Sequence, residues 1–448
     1  MHDVLDLRDL LADELVQRRE SGSDVSSLEG EVETALRDGA DAQRLSALLD
    51  ALERTPMVDG WPYVEPSAAE EIDAARAALP ALPPLELSDA ELLDRITAAW
   101  LGRCAGCVLG KPLEGIDRAP IRAYLERTGA YPLTDYVPRE EPLPGGFETY
   151  DSWSTATRGN IVASARDDDT DYTILGLMVL ETHGFDFTPA QVGELWLERL
   201  PFLQIYTAER AAYRNLLHGI AAPQTAIVRN PYREWIGAQI RADVFGYVAP
   251  GDPVAAAEMA YRDAALSHVA NGIYGEQWAA GLIAAAFTAA TMRDALDVAY
   301  ALVPPRSRLA EALRFVDELH ARDLDWEVAR DELEVRYGAL SFVHTIQNAA
   351  VVAAALLWGD GDFTRTIGLA VQAGWDTDCN GATAGSVFGA MHGSAALPER
   401  WVAPLNDTIR SAIFNCDGSR ISELAQRTAA LARQRTAPAA ATAGTAGD

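Results

Sequence analysis

Two short acidic turns hold the residues best suited to chemistry. The stretch Arg166-Asp167-Asp168-Asp169-Thr170-Asp171 sets four carboxylates within five residues, just ahead of the apolar run from Ile174 to Leu180. Carboxylates this close repel one another, and a helix N-terminus relieves only about 0.3–1 kcal/mol for each. A cation relieves more, and a set of carboxylate and hydroxyl oxygens suits Mg²⁺, Mn²⁺ or Ca²⁺ rather than Zn²⁺. The second turn, Gly374-Trp375-Asp376-Thr377-Asp378-Cys379-Asn380, again puts two carboxylates on one turn between apolar stretches. Each turn alone reads equally well as a solvated helix cap. Two of them in one chain point to a shared cation site.

The elements around these turns must hold them in register. Gly102, Gly106 and Gly110 recur at every fourth residue, and so do Gly381, Gly385, Gly389 and Gly393. Glycine inside a helix costs about 0.8–1.0 kcal/mol relative to alanine. At this spacing, however, the glycines line one helix face and let another backbone come close. The spacing predicts two tightly packed central helices, one leading to Glu114 and the other following Asp376 and Asp378. Cys104 and Cys107 have CxxC spacing but lie inside the first stripe, with no second CxxC. Core packing is the expectation there, rather than zinc or redox chemistry.

Helical periodicity fills most of the chain, in twelve stretches from 89–110 to 419–433. The fold class is therefore all-α, with one large multi-helix domain over 89–433. Ser88 and Glu91 form a capping-box signature where that domain begins. Residues 1–88 read as an acidic helical extension, with helices over Asp3–Arg19, Glu29–Arg54 and Ala68–Leu79 and a breaker, PALPP, at 80–84. Segment 131–165 is rich in Pro and Gly and interrupts the helices. Its Phe147, Tyr150 and Trp153 are suited to stacking on a base or to closing a core private to the loop. The tail 434–448 lacks core-forming residues and is expected to be disordered.

Composition narrows the partners. With 37 basic and 66 acidic residues the net charge is −29, which argues against nucleic acid and anionic membranes. No apolar run reaches the roughly 18 residues a bilayer needs. Four cysteines are too few for a disulfide scaffold, so the reducing cytoplasm is the expected compartment.

Four stretches, in order, resemble the ADP-ribosylglycohydrolase family, which includes dinitrogenase-reductase-activating glycohydrolase and the ADP-ribosyl-acceptor hydrolases. They are GRCAGCVLGKPLEG (102–115), DDDT (167–170), LSHVANGIYGEQWAAG (266–281) and GWDTDCNGATAGSVFGAMHG (374–393). A looser match is IGAQIRADVFG (236–246). The resemblance spans roughly 90–432 and implies an all-α fold with a cleft holding two divalent cations, Mg²⁺ or Mn²⁺. It implies metal ligation by Asp168, Asp169, Asp376 and Asp378. Asp167 and Cys379 complete the candidate metal set. They fall where many members have a Thr ligand, and a thiol is a poor partner for a hard cation. Candidate catalytic residues are Glu114, Asp169 and Asp376. Candidate substrate-binding residues are His268, Gly374, Trp375, Asn380 and Thr383.

The resemblance also implies the reaction: hydrolysis of an N- or O-ribosyl bond, with the cations lowering the pKa of a bound water and Glu114 in general acid–base work. The expected substrate is a small-molecule or protein-linked ADP-ribosyl group, and the protein a monomer or dimer. Two alternatives stay open. One is a hydrolase of a different ribosylated metabolite, such as a nucleoside or nucleotide derivative. The other is a non-catalytic module that binds ADP-ribose.

Overall fold

The computed structural model describes residues 6–145, 147 and 151–436, and within them the architecture is all-α. Four helices precede residue 88: α1 (Leu7–Glu20), α2 (Glu29–Asp38), α3 (Ala42–Leu52) and α4 (Ala69–Ala75). The domain follows with α5 (Asp89–Gly110), α6 (Arg118–Arg127), α7 (Asp168–His183), α8 (Pro189–Arg199), α9 (Thr207–Leu217) and α10 (Asp243–Tyr247). Next come α11 (Pro253–Ala264), α12 (Asn271–Ala286), α13 (Met292–Leu302), α14 (Arg308–Ala321) and α15 (Trp326–Tyr337). The last are α16 (Thr345–Trp358), α17 (Phe363–Gln372), α18 (Thr377–His392), α19 (Glu399–Val402) and α20 (Ile421–Thr436). Two short strands, Thr408–Ile409 and Ser419–Arg420, pair antiparallel. No helix among the described residues is long and apolar enough to cross a membrane.

The two glycine stripes face each other. A Cβ on Gly102 would overlap the carbonyl of Gly385, one on Gly106 that of Gly381, and one on Gly389 that of Ala98. Partner numbers fall as residue numbers rise, so α5 and α18 run antiparallel at backbone contact. The glycine cost is thereby offset by close packing that no side chain would permit. Around this pair pack α12, α16, α17 and α20, with Trp100, Trp278 and Trp401 fully buried in the same core.

Several sequence boundaries shift for local reasons. The Ser88–Glu91 capping box forms and starts α5. The periodicity over 29–54 splits into α2 and α3, because Gly39 takes the left-handed conformation (φ +70°) and Asp41 caps α3 by accepting from the Arg44 amide. Helices α6 and α13 were not expected. The second opens with a capping box of its own, Thr291 with Asp294, a signal that was present in the sequence. Phe147 and Trp153 pack on Tyr124 of α6, at ring separations of 5.0 and 5.5 Å, so this part of segment 131–165 closes a core. Tyr150 and the tail beyond Thr436 lie outside the described residues. Cys104 and Cys107 are buried free thiols in the α5 core, and burial pushes Cys104 up to about 12.

Candidate functional site

Both acidic turns become helix N-termini. Asp167 caps α7, its side chain accepting from the Asp169 amide at 3.0 Å. Asp376 sits at the N-cap position of α18, whose first turn carries Asp378. The antiparallel contact of α5 and α18 brings the end of one stripe to the start of the other. Thr377 donates its hydroxyl to the Gly110 carbonyl at 2.8 Å, and the Gly115 amide donates to the Trp375 carbonyl at 3.2 Å. Lys111 and Glu114 are thereby set beside Asp378.

The carboxylates converge in two groups. Ligand atoms of Asp376, Asp378 and Cys379 lie within 4.8 Å of one another, and so do those of Asp167, Asp169 and Asp378. Asp378 belongs to both. Asp167, Asp169, Asp376 and Asp378 are all buried, while Asp168 is half-buried beside them. Buried like charges disfavour ionisation. Burial and then Asp378 push Asp376 well up. Burial and Asp167 raise Asp378 to about 6 and Asp168 to about 7. Burial and Asp378 likewise push Glu114 well up. Asp167 is the exception: against burial, the paired Lys111 ammonium holds it below its ordinary value.

These residues fit a hard divalent cation. Asp376 Oδ1 and Asp378 Oδ1 are buried with no hydrogen-bond partner, and a buried carboxylate oxygen without a partner is costly unless an ion or a water takes that place. Cys379 fits less well. Its thiol donates to Asp169 Oδ2 at 3.1 Å, and burial and Asp169 push it well above its ordinary value.

Asp169 is fixed from below by Arg103 of α5. This fully buried guanidinium donates to the Asp169 carbonyl (2.7 Å) and Oδ1 (3.1 Å), to Asp243 Oδ2 (2.8 Å) and to the Ile240 carbonyl (2.7 Å). Asp171 points elsewhere. It takes Arg166 Nε at 2.9 Å and the Ser411 hydroxyl at 2.6 Å, so it ties the turn to the loop at 411.

The carboxylates open into a cavity of about 420 Å³. Its lining includes Lys111, Glu114, Gly115, Arg166 to Asp169, Asp376, Asp378 and Cys379. The remainder of the lining comes from Tyr206, Thr207 and Glu209, from Trp235, Ile236, Gly237 and Ile240, and from Ser341, Phe342 and Val343.

A family model for ADP-ribosylglycohydrolase matches residues 88–438, which is most of the chain. The chain belongs to the ADP-ribosylglycohydrolase family. A solved structure titled "ADP-ribosylglycohydrolase-related protein complex" is similar over 77% of this chain and 99% of that one, with 20% identity and a TM-score of 0.43. No protein of curated function matches. Within this ADP-ribosylglycohydrolase family chain, α1 to α4 lie outside the matched residues.

Of the residues singled out from the sequence, Glu114, Asp167, Asp168, Asp169, Asp376, Asp378 and Cys379 meet at the cavity. The expected substrate contacts do not line it. His268 is buried, hydrogen-bonded through Nδ1 to Ser267 Oγ at 2.8 Å, and burial together with Arg241 holds it neutral. Trp375 turns its ring under Arg330, 3.8 Å from the guanidinium carbon. Gly374 supplies the left-handed turn before it (φ +80°). Asn380 donates to Asn348 Oδ1 at 2.8 Å. Thr383 is fully buried one turn further along α18. Asn348 also accepts from the Asp376 amide at 3.3 Å, so Asn380 and the turn share one support.

Sequence reading missed Lys111, Arg166, Glu209 and the two aromatic-bearing loops. Lys111 stood inside the first matched stretch and Ile236 to Ile240 inside the looser one. Nothing local marked Ser341 to Val343. Glu209 is held by Arg241 Nη1 at 2.5 Å, and its carboxylate lies where a Cβ on Gly237 would be.

Proposed function

We propose that the chain is a divalent-metal-dependent glycohydrolase that cleaves an N- or O-ribosyl bond, with ADP-ribosyl groups as its substrate class. The observation that carries this reading is Asp378, a single carboxylate shared by two adjacent ligand groups at a cavity. One carboxylate shared between two donor sets would suit a pair of neighbouring cations. Asp167, Asp169, Asp376 and Asp378 would hold Mg²⁺ or Mn²⁺, with Asp168 and Cys379 beside them. When bound, such cations supply charge neutralisation and polarise an oxygen.

The chain's own residues do the rest. Arg103 fixes Asp169, and the Cys379 thiol donates to it from the other side, so its orientation is set twice. Glu114 is the proton-carrying group of the cavity, in the general acid–base role. Its place is fixed by the Gly110 and Gly115 contacts to α18 and the turn before it. Tyr206, Trp235 and Phe342 offer apolar faces for a sugar or base.

One observation favours a smaller ribosylated metabolite over a full ADP-ribosyl group. Both basic side chains in the lining are already engaged, Lys111 by Asp167 and Arg166 by Asp171. A diphosphate would have to compete with these pairs.

The test is product release from ADP-ribosyl-arginine, ADP-ribosyl-serine, NAD and nucleosides by chelator-stripped protein, before and after Mn²⁺ or Mg²⁺ is restored. Activity that appears only with metal supports the reading. Undiminished activity in stripped protein ends the metal assignment. No release from any ribosyl compound, with metal supplied, ends the ribosyl assignment.

A further inference from the structure

The cavity wall away from the carboxylates is built from two loops. Residues 235–237 and 341–343 are held together by the Ile236 amide donating to the Val343 carbonyl (2.8 Å) and by an isolated antiparallel bridge between Trp235 and His344. Neither loop belongs to a sheet that would fix it. Their support comes from residues 6–67, outside the family match.

The attachment is buried and ionic. Arg233 takes Glu14 of α1 in a two-point pair, at 2.7 and 3.1 Å. Glu234 accepts from Gln17 of α1 at 2.8 Å and from both Arg308 and Asn271. Arg308 in turn is held by Glu65, through its own amide at 2.8 Å and its Nη2 at 2.8 Å. The Glu234 carbonyl accepts from the Thr345 amide at 3.2 Å, so the same residue clamps both loops. Apolar packing follows the same line. The core of α1, α2 and α3 takes in two residues of the domain, Ala208 and Tyr232. Ala208 stands between the lining residues Thr207 and Glu209, and Tyr232 three residues before Trp235.

We infer that the N-terminal segment sets the substrate-selecting wall of the cavity, with Glu14 and Glu65 as positioning residues acting through Arg233, Arg308 and Glu234. A family domain alone would carry the carboxylates; this segment fixes what faces them. The inference rests on the cavity being the substrate site of the reading above.

The test uses the full chain with Glu14→Gln, Glu65→Gln and Glu65→Asp. Glu31→Gln, which removes a surface partner of Arg44, is the control. Hydrogen–deuterium exchange is followed over 232–240, 338–345 and 377–392, with the Mn²⁺ Kd of stripped protein and the kinetics of ADP-ribosyl-arginine cleavage. In both Gln variants, exchange should rise about ten-fold in the two loop peptides while 377–392 and the Mn²⁺ Kd stay unchanged. KM should rise about five-fold or more with kcat held within about two-fold, and Glu65→Asp should recover part of it. Unchanged loop exchange, an equal rise everywhere, or raised loop exchange with unchanged KM overturns the inference. If the wild-type chain cleaves no ribosyl compound, the hydrolase reading falls, and the loop exchange alone decides whether the segment positions the wall.

Discussion

Thr377 donates its hydroxyl to the carbonyl oxygen of Gly110 at 2.8 Å, which joins the end of one glycine-striped helix to the start of the other. The junction positions one side of the proposed cation site. It sets the sequence after Gly110, which supplies Lys111 and Glu114, against the turn that supplies Asp376 and Asp378.

Gly106→Ala should therefore be severe. The added methyl would overlap the Gly381 carbonyl, a backbone atom that cannot rotate away. The expected loss is about 3 kcal/mol or more, at the upper end for overpacking. Gly30→Ala, in helix α2 with nothing within 4 Å of the new Cβ, should instead gain up to about 1 kcal/mol. Urea denaturation of both variants decides. A Gly106→Ala protein as stable as the parent would show that α5 and α18 do not touch.

Asp378→Asn separates stability from metal binding. Without cations, Asp376, Glu114 and Asp169 lose a like-charged neighbour, so the melting temperature of stripped protein should rise. Mn²⁺ affinity should fall at least as much as the roughly 10–100-fold lost when only a supporting residue is removed. Thermal shifts with and without Mn²⁺ read both effects. Unchanged Mn²⁺ stabilisation would remove Asp378 from the ligand set.

Cys379→Thr tests the least typical residue of the cluster. A hydroxyl is the harder donor, so Mg²⁺ should bind tighter and Cd²⁺ weaker than in the parent. Calorimetric titration of both ions measures the exchange of preference. Equal Mg²⁺/Cd²⁺ ratios in the two proteins would place Cys379 outside the coordination sphere.

Glu20, at the end of α1, gives a pH dependence away from the acidic cluster. Burial and the nearby Glu234 raise its carboxyl from 4.5 to about 7. The folded state thus binds this proton more tightly than the unfolded one. Its contribution is most favourable below about pH 4.5, declines as pH rises, and levels off above about pH 7. Glu20→Gln should flatten that stretch and stabilise the protein at pH 8 by about 1–3 kcal/mol, with little change at pH 4.5. Denaturation midpoints at the two pH values check it. An equal effect at both would mean Glu20 titrates normally.

Local spacing explains what the sequence made legible. The glycine stripes repeat within one helix each, and the acidic turns are contiguous, so both were visible without knowing the fold. The same spacing could not sort the carboxylates by direction. Asp171 sits two residues from Asp169 but faces Arg166 and Ser411, while Asp378, 209 residues away from Asp169, joins the group. His268 and Trp375 illustrate the converse. Each lies in a matched stretch, yet the fold buries it outside the cavity lining. The loop at 341–343 had no local mark at all, because its place is fixed by Val343 pairing with Ile236 and by a glutamate on another segment.

The partners of the Thr377–Gly110 bond are 267 residues apart in the chain. During synthesis at about 5–20 residues per second, roughly 15–50 s separate the emergence of Gly110 from that of Thr377. For that interval α5 has a bare glycine face and no backbone to cover it. The carboxylates of α7 are made without those of α18, and no cation can yet be enclosed. Until Thr377 and Asp378 have emerged, the two donor groups that share Asp378 cannot assemble.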